Sequence, residues 1–225
     1  VFNMTDALIN VNGANVQTLE ILFMLTVVTL MPSILVMVTA FTRIIIVLSF
    51  LRNAIGLQGT PPNSVLIGLS LFLTLFIMTP VMDEINETAY VPYKNEEITQ
   101  AEALERASIP MKEFMLKNTK IDALNLYLDF ADIQLPETLQ QQVTDLPMRV
   151  VIPAFMTSEL QRAFTMGFLL FIPFLLIDIV VSSTLMSMGM IMLPPATISL
   201  PFKILLFITV NGWQLLFSTF VSSFN

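Results

Sequence analysis

Residues 185–201 read LMSMGMIMLPPATISLP and carry no charged side chain. Methionine occupies every second position from 186 to 192, and Gly189 lies among these methionines. Leu193 precedes a proline, which disfavours helical geometry at that residue. The two consecutive prolines that follow, Pro194 and Pro195, cannot continue a helix. The stretch therefore predicts that an uncharged helix ends here and that the chain turns.

The methionines of this turn allow two interpretations. Methionine is the most adaptable apolar side chain and fits surfaces of variable shape. The turn is either an ordinary methionine-rich loop buried inside the protein or a soft apolar rim that serves a function. Composition by itself does not separate the two.

The composition excludes several classes of function. The chain has 225 residues, of which 55% are hydrophobic and 12% charged, whereas soluble domains carry about 25% charged residues. It contains no histidine and no cysteine, which excludes Cys/His zinc sites, histidine-activated nucleophiles and disulfides. No phosphate-binding loop motif is present. We therefore expect no enzyme, no catalytic residue, no metal, no cofactor and no nucleic-acid partner.

The charges divide the chain into segments. Residues 83–149 contain 13 acidic and 6 basic side chains, so that this segment holds the whole net charge of −7. Its nearly charge-free flanks are typical of membrane segments or of the core of a large apolar assembly. We predict an all-α protein with two long apolar helical hairpins on either side of a small acidic, water-facing helical domain. The expected segments are a polar N-terminus (1–18), the first hairpin (19–82), the acidic domain (83–149) and the second hairpin with the methionine turn (150–225).

The first hairpin and the acidic domain have recognisable helix signals. We expect one long helix over about residues 19–51, kinked at Pro32, and an apolar segment over residues 65–81. Thr99-x-x-Glu102 is a capping box that starts a helix of the acidic domain. Two shorter helices are expected after it, one capped by Asp122 and one over residues 137–144.

The start of the second hairpin contains two prolines. Pro147 and Pro153 predict an extended segment over residues 146–156. Ser158 and Gln161 have the spacing of a second capping box, which would start the next helix.

The basic residues of the flanks predict an orientation. Arg43, Arg52 and Lys203 all lie on the turn side of their hairpins, and basic residues prefer the cytoplasmic side of a membrane. We therefore expect the turns at the cytoplasmic side and the acidic domain on the outer, periplasmic side. The polar sequence that begins at Val1 resembles a mature exported end, so that a cleaved signal peptide is expected.

Arg43, Asp178 and Lys203 lie in apolar surroundings, where each would cost several kcal/mol if it faced hydrocarbon. Asp178 and Lys203 lie 12 residues before and 13 residues after Met190, which brings them to the same level of a hairpin. They form either a structural ion pair that sets helix register or two side chains that reach separately for an interface. A proton relay at Asp178 has no second carboxylate or histidine nearby to take the proton. Glu159 and Asp178 lie about 28 Å apart along one helix, too far to serve as an acid/base pair on one substrate bond.

Five stretches of the chain resemble one protein family. They are PAFMTSELQRAF at residues 153–164, the stretch from Asp178 to Lys203 that contains the methionine turn, NGWQLL at residues 211–216, RIIIVLSFLR at residues 43–52, and GTPP at residues 59–62. These stretches resemble the FliP family, the export-gate proteins of flagellar and virulence type III secretion. The resemblance covers nearly the whole chain, is weakest over residues 1–20 and 83–145, and is closer to the flagellar branch.

The resemblance implies an assembly. About five copies of a FliP protein build a helical pseudo-ring with FliQ and FliR in the basal body, where FlhB and other export-apparatus proteins also act and unfolded flagellar proteins pass. This core lies at the bacterial inner membrane, largely above the membrane plane. Protein rather than lipid would then surround Arg43, Asp178 and Lys203.

The resemblance also implies a gate. The family's methionine gasket falls on Met190, Ile191 and Met192, with Met186 and Met188 nearby. Ile191 stands where close relatives often carry a third methionine, so one flexible side chain is replaced by a stiffer branched one. Rings of apolar side chains can close a channel by excluding water.

Three functional hypotheses remain. The first is a non-enzymatic subunit of a protein-conducting export gate. The second is a small-solute transporter or ion-channel subunit with a site at Asp178. The third is a membrane anchor that only scaffolds a basal body.

Overall fold

The computed structural model of the chain describes residues 8–11, 14–57, 59–190 and 192–224. The chain divides into two compact units, Val1–Met37 and Val38–Asn225. Apart from one short strand pair near the N-terminus, the described part of the chain is helical. The all-α fold class is therefore confirmed.

The first unit contains two short strands and most of one helix. Strands β1 (Leu8–Val11) and β2 (Ala14–Gln17) pair antiparallel, with Leu8 opposite Gln17. This strand pair was not predicted from the sequence. Helix α1 (Thr18–Val38) follows at once and bends by 45° just before Pro32, where a proline removes a backbone donor and crowds the preceding turn.

The second unit consists of helices. They are α2 (Phe41–Ile55), α3 (Asn63–Ile85), a π-helical segment (Asn86–Tyr90), α4 (Val91–Lys94), α5 (Gln100–Lys117), α6 (Ile121–Ala131), α7 (Leu139–Asp145), α8 (Met148–Ser187), α9 (Pro195–Thr209) and α10 (Gly212–Ser222). Its core forms where α2 packs along α8, with α3 on α2 and α6 on α8. Fully buried core side chains include Leu48, Leu51, Val151 and Phe155.

A glycine allows α2 and α8 to approach closely. A Cβ atom at Gly167 would lie 2.6 Å from the ring of Phe50, and real side chains do not come so near. The ring also packs edge-on against Phe164, one turn earlier on α8, with ring centroids 5.4 Å apart. The missing side chain thus lets an aromatic ring of α2 fill the space beside α8.

The expected single helix over residues 19–51 is wrong. Helix α1 ends at Val38 and α2 begins at Phe41, with Ala40 as its N-cap. Arg43 and Ile44 in the first turn of α2 are fully buried. The position of α2 is therefore set by what its first turn packs against, and tertiary packing overrides a continuous apolar pattern.

The expected extended segment over residues 146–156 is also wrong. Helix α8 begins at Met148 with Pro147 as its N-cap, and it continues through Pro153 to Ser187. Val150, Val151 and Phe155 of this segment are buried, and their burial offsets the backbone hydrogen bond that Pro153 cannot make.

Ser158 does not cap a helix but lies inside α8. Its hydroxyl donates to the carbonyl oxygen of Ala154 at 2.9 Å and accepts from the backbone N–H of Lys120 at 2.9 Å. The side chain thereby ties the loop before α6 to α8. Lys120, and not Asp122, is the N-cap residue of α6.

The capping box of Thr99 and Glu102 is present at the start of α5. The backbone N–H of Thr99 donates to the Glu102 carboxylate at 2.8 Å, and this hydrogen bond holds the pKa of Glu102 below its usual value. A second capping box joins Thr138 and Gln141 at the start of α7. That helix begins at Leu139, two residues later than the predicted start.

By length and composition, two helical stretches among the described residues are able to cross a membrane. They are Asn63–Lys94 and Met148–Ser187. The number rises to four if each of two bent helix pairs forms one span. The 40 residues of α8 extend about 60 Å at 1.5 Å per residue. That length is twice the ~30 Å of a hydrocarbon core. Helix α8 therefore reaches well beyond a bilayer if it stands upright in one.

Candidate functional site

The methionine turn begins with a helix end built on Gly189. Helix α8 ends with Met188 as its C-cap, and Gly189 adopts a left-handed conformation with φ of 74°. The backbone N–H of Gly189 donates to the carbonyl of Met186, and that of Met190 donates to Leu185, both at 3.0 Å. This pair of bonds is a Schellman motif, which satisfies carbonyls at a helix end. The predicted helix end is therefore present, and α9 restarts at Pro195.

The methionines of the turn are exposed, although to different degrees. Met192 is 98% exposed, Met186 and Met188 are about two-thirds exposed, and Met190 is 41% exposed. The interpretation of a methionine-rich loop buried inside the chain is therefore wrong for these four side chains. Ile191, the third residue of the expected gasket, lies outside the described residues, and the gasket role of the three residues stays a prediction.

Gly189→Ala is expected to lower the free energy of unfolding by about 1 kcal/mol, because a Cβ disfavours the left-handed conformation. The melting temperature of the purified protein should fall by about 2–4 °C. Gly68→Ala is the matched control: Gly68 lies inside α3 with nothing near its Cβ position, so alanine should stabilise by about 0.5–1 kcal/mol. Equal shifts for the two variants would contradict the role of Gly189.

An ion pair joins the two helices that flank the turn. The Lys203 ammonium on α9 donates to Asp178 Oδ2 on α8 at 2.7 Å. The Ser199 hydroxyl, one turn before Lys203, donates to the other oxygen, Oδ1, at 2.6 Å. Lys203 is 6% exposed and Asp178 is 32% exposed. The carboxylate is thus held through both oxygens by groups of α9.

Lys203 also reaches the end of a third helix. Its Nζ donates to the carbonyl of Ala54 at 3.1 Å, close to the point where Gly56 ends α2 in a left-handed conformation. The last carbonyls of a helix lack partners within the helix and attract positive charge. Lys203 of α9 therefore contacts α2 and α8 at one point. The pair with Asp178 was one of two alternatives that the sequence left open, and the bond to the carbonyl of Ala54 was not predicted.

Arg43 is the centre of a second buried ion pair. It is fully buried on α2, and its Nε donates to Glu159 Oε2 on α8 at 2.9 Å, while Nη2 donates to Oε1 of the same carboxylate. Nη1 donates to Ser223, to the carbonyl at 3.0 Å and to the hydroxyl at 2.8 Å. The guanidinium carbon lies 3.6 Å from the centre of the Phe224 ring.

Glu159 was missed as the partner of Arg43, although a signal for it existed. A buried arginine needs a carboxylate, and Glu159 and Asp178 are the only carboxylates after residue 149. Since Asp178 lies level with Lys203, Glu159 is the carboxylate of the second apolar half that remains for Arg43. The part played by Ser223 and Phe224 had no such signal in the sequence.

The described residues contain no group of three or more carboxylates arranged to hold a metal ion. The site instead consists of two ion pairs, each with its carboxylate on α8. Glu159 and Asp178 lie 19 residues apart on α8, about 28 Å along the axis, and each is paired with a cation from another helix. The exposed methionine turn lies just beyond the second pair.

Long apolar helices, ion pairs inside the helical unit and an exposed methionine turn define a helical membrane-type protein. The profile of the family described as FliP family matches residues 24–220. The chain is 52% identical over 215 residues to the flagellar biosynthetic protein FliP of Pectobacterium carotovorum subsp. carotovorum, covering 95% of this chain and 82% of that protein. It is 51% identical over 208 residues to the protein of the same name from Bacillus subtilis, covering 92% of each. The chain belongs to the FliP family.

Proposed function

We propose that this member of the FliP family, a membrane-associated component of the flagellar export apparatus, forms the wall of a channel for unfolded flagellar proteins. Several copies of the chain, about five, surround the passage. Met190, Ile191 and Met192 of each copy meet as an apolar gasket that closes the passage when no substrate is inside. The chain performs no chemistry on its substrate.

The observation that carries this proposal is the exposure of the methionine turn. Met192, at 98% exposed, touches almost nothing in its own chain. An apolar side chain that is so exposed at a tight turn is suited to contact a partner protein or the same residue in other copies of the chain. Flexible methionines can close against one another by excluding water and can deform around a passing chain.

The ion pair of Asp178 and Lys203 joins the two helices that lead into and out of the methionine turn. Asp178 lies 11 residues before Gly189 on α8, and Lys203 lies 8 residues after Pro195 on α9, which correspond to about 16 Å and 12 Å of helix. The two helices are thus fixed to each other a few turns below the methionines. In this arrangement the methionine side chains move while their backbone support stays in place.

The apolar helix surfaces support the assembly. Phe72 and Phe76 on α3 are 74% and 65% exposed, and Phe168 on α8 is 65% exposed. A helix that is apolar all round needs cover from lipid or from protein. In our proposal other copies of the chain, FliQ, FliR, FlhB and further export-apparatus proteins cover much of this surface, and the acidic segment lies on the periplasmic side. Energy for export comes from partner proteins or from the proton gradient.

Replacing Met190 and Met192 together by alanine tests the proposal. The gasket then loses its two flexible side chains in every copy, so cells carrying the variant should become permeable to ions and small dyes while the complex still assembles. The measurement is dye uptake or ion leakage in cells that express the variant, with the amount of assembled complex determined in parallel. Met82→Ala, which removes an exposed methionine from α3, is the matched control and should cause no leak.

The other hypotheses predict different results. A complex that assembles without a leak in the double variant would favour a scaffold. A single purified chain that transports a solute in vesicles would favour a transporter with a site at Asp178. A detergent-extracted ring of several copies, together with a leak specific to Met190 and Met192, supports the gate.

A further inference from the structure

The last two described residues of the chain, Ser223 and Phe224, lie against Arg43 of the buried ion pair with Glu159. Both members of that pair have no exposed side-chain area. Ser223 and Phe224, which follow α10, are half-buried and lie against Arg43. They therefore contact the buried pair while they remain partly exposed themselves.

The two residues complete the coordination of the guanidinium. Glu159 accepts from Nε and Nη2 of Arg43, which leaves Nη1 without a carboxylate. The carbonyl and the hydroxyl of Ser223 both accept from Nη1, at 3.0 and 2.8 Å. The Ser223 hydroxyl itself donates to the carbonyl of Phe220 at 2.9 Å, so that its orientation is fixed.

The Phe224 ring closes the face of the guanidinium. The Arg43 guanidinium carbon lies 3.6 Å from the ring centre, a distance at which the negative face of an aromatic ring attracts a cation. The same ring stacks on Phe114 of α5 with centroids 5.9 Å apart and planes 16° apart. Phe114 in turn packs against Phe155 of α8 at 5.9 Å. Phe224 thus contacts α2 and α5 directly and α8 through Phe114.

We infer that Ser223 and Phe224 form a seal after α10, whose role is to keep water and salt away from the ion pair of Arg43 and Glu159. A buried pair is strong because the surroundings are dry and of low dielectric constant, and it is screened little by salt. Once the seal is removed, water reaches the guanidinium and the pair behaves like a surface pair. Ser223 and Phe224 act only through their contacts with Arg43, which they hold in position. The inference does not depend on the channel proposed above.

Salt dependence distinguishes a seal from ordinary packing. The purified full-length protein is melted at about 0.01 M and about 1 M NaCl, between which the screening length falls from about 30 Å to about 3 Å. The melting temperature of the unaltered protein should change little. Phe224→Ala should melt lower by about 4 °C or more in high salt than in low salt, beyond the change seen in the unaltered protein. Phe224→Tyr, which keeps the ring, should restore salt-independent melting.

Phe217→Ala is the matched control. Phe217 lies on α10, and its ring packs against Trp213 at 5.7 Å with no contact to the ion pair among those described. Its loss should lower the melting temperature equally at both salt concentrations. Equal salt dependence of Phe217→Ala and Phe224→Ala would overturn the inference, as would salt-independent melting of Phe224→Ala.

A milder variant covers the case in which Phe224→Ala does not fold. Ser223→Ala removes only the hydroxyl acceptor and leaves the backbone carbonyl in place, so a folded protein is expected. Its melting should show a smaller salt dependence of the same sign. If Ser223→Ala melts independently of salt while Phe224→Ala yields no folded protein, the seal is refuted and Phe224 is a packing residue.

Discussion

Replacing Arg43 by methionine is expected to lower the free energy of unfolding by about 3–5 kcal/mol, the cost of leaving one partner of a buried ion pair alone. Glu159 would remain inside the unit with no exposed side-chain area and without the two nitrogens that donate to it. For a chain of this length, the melting temperature should fall by roughly 6–20 °C. Circular dichroism during heating of the purified protein measures this shift.

Two further variants test whether Arg43→Met destabilises the protein because it leaves a buried carboxylate unpaired or merely because it removes a positive charge. Exchanging both Arg43 and Glu159 for methionine should recover most of the stability, because apolar side chains of similar volume replace a buried pair at little cost. Lys117→Met removes a partner of Glu113 from an exposed pair on α5 and should change stability by only about 0.3–0.5 kcal/mol. If the double variant is no more stable than Arg43→Met, the explanation by an unpaired buried carboxylate is wrong.

Lys203→Met is expected to have the second largest effect, a loss of about 1–3 kcal/mol. The value lies below that for Arg43 because Asp178 is 32% exposed and water can solvate it in part. The variant also removes the hydrogen bond that the carbonyl of Ala54 accepts from Lys203 at 3.1 Å. In our proposal, the loosened base of the methionine turn further reduces flagellar export, which a swimming assay in soft agar measures.

Asp178→Asn is the partner variant and should be milder than Lys203→Met. An asparagine oxygen still accepts from Lys203 or from Ser199, and the bond from Lys203 to Ala54 is kept. The comparison also tests a proton-carrying role for Asp178. If Asp178→Asn leaves stability and assembly unchanged but abolishes flagellar export, the carboxylate has a chemical role and the hypothesis of a structural pair fails.

The arrangement of the two pairs has a consequence for the long helix that carries both. Helix α8 has 40 residues; its segment up to Glu159 lies largely within the core, and the apolar segment that follows is largely exposed. Arg43 holds the first carboxylate and Lys203 the second. Each cation comes from a different helix, so the pairs fix the helices around α8 at two heights about 28 Å apart.

Local signals in the sequence predicted some elements well and others poorly. The helix end at Gly189 and the capping box at Thr99 were predicted because each depends on residues within one turn. Pro153 was misinterpreted because a proline only raises the energy of a helix, and the burial of Val151 and Phe155 offsets that cost. The break between α1 and α2 was missed because both sides of it are apolar.

The sequence by itself determined the helical class, the apolar and acidic segments, the family and the position of the methionine turn. These follow from composition and from residues close together in the chain. The tertiary structure alone decided that Arg43 meets Glu159, 116 residues away, that Lys203 also binds the end of α2, and that the Phe224 ring lies against Arg43. Such contacts join distant segments, and their free energy is gained only once the helices have packed.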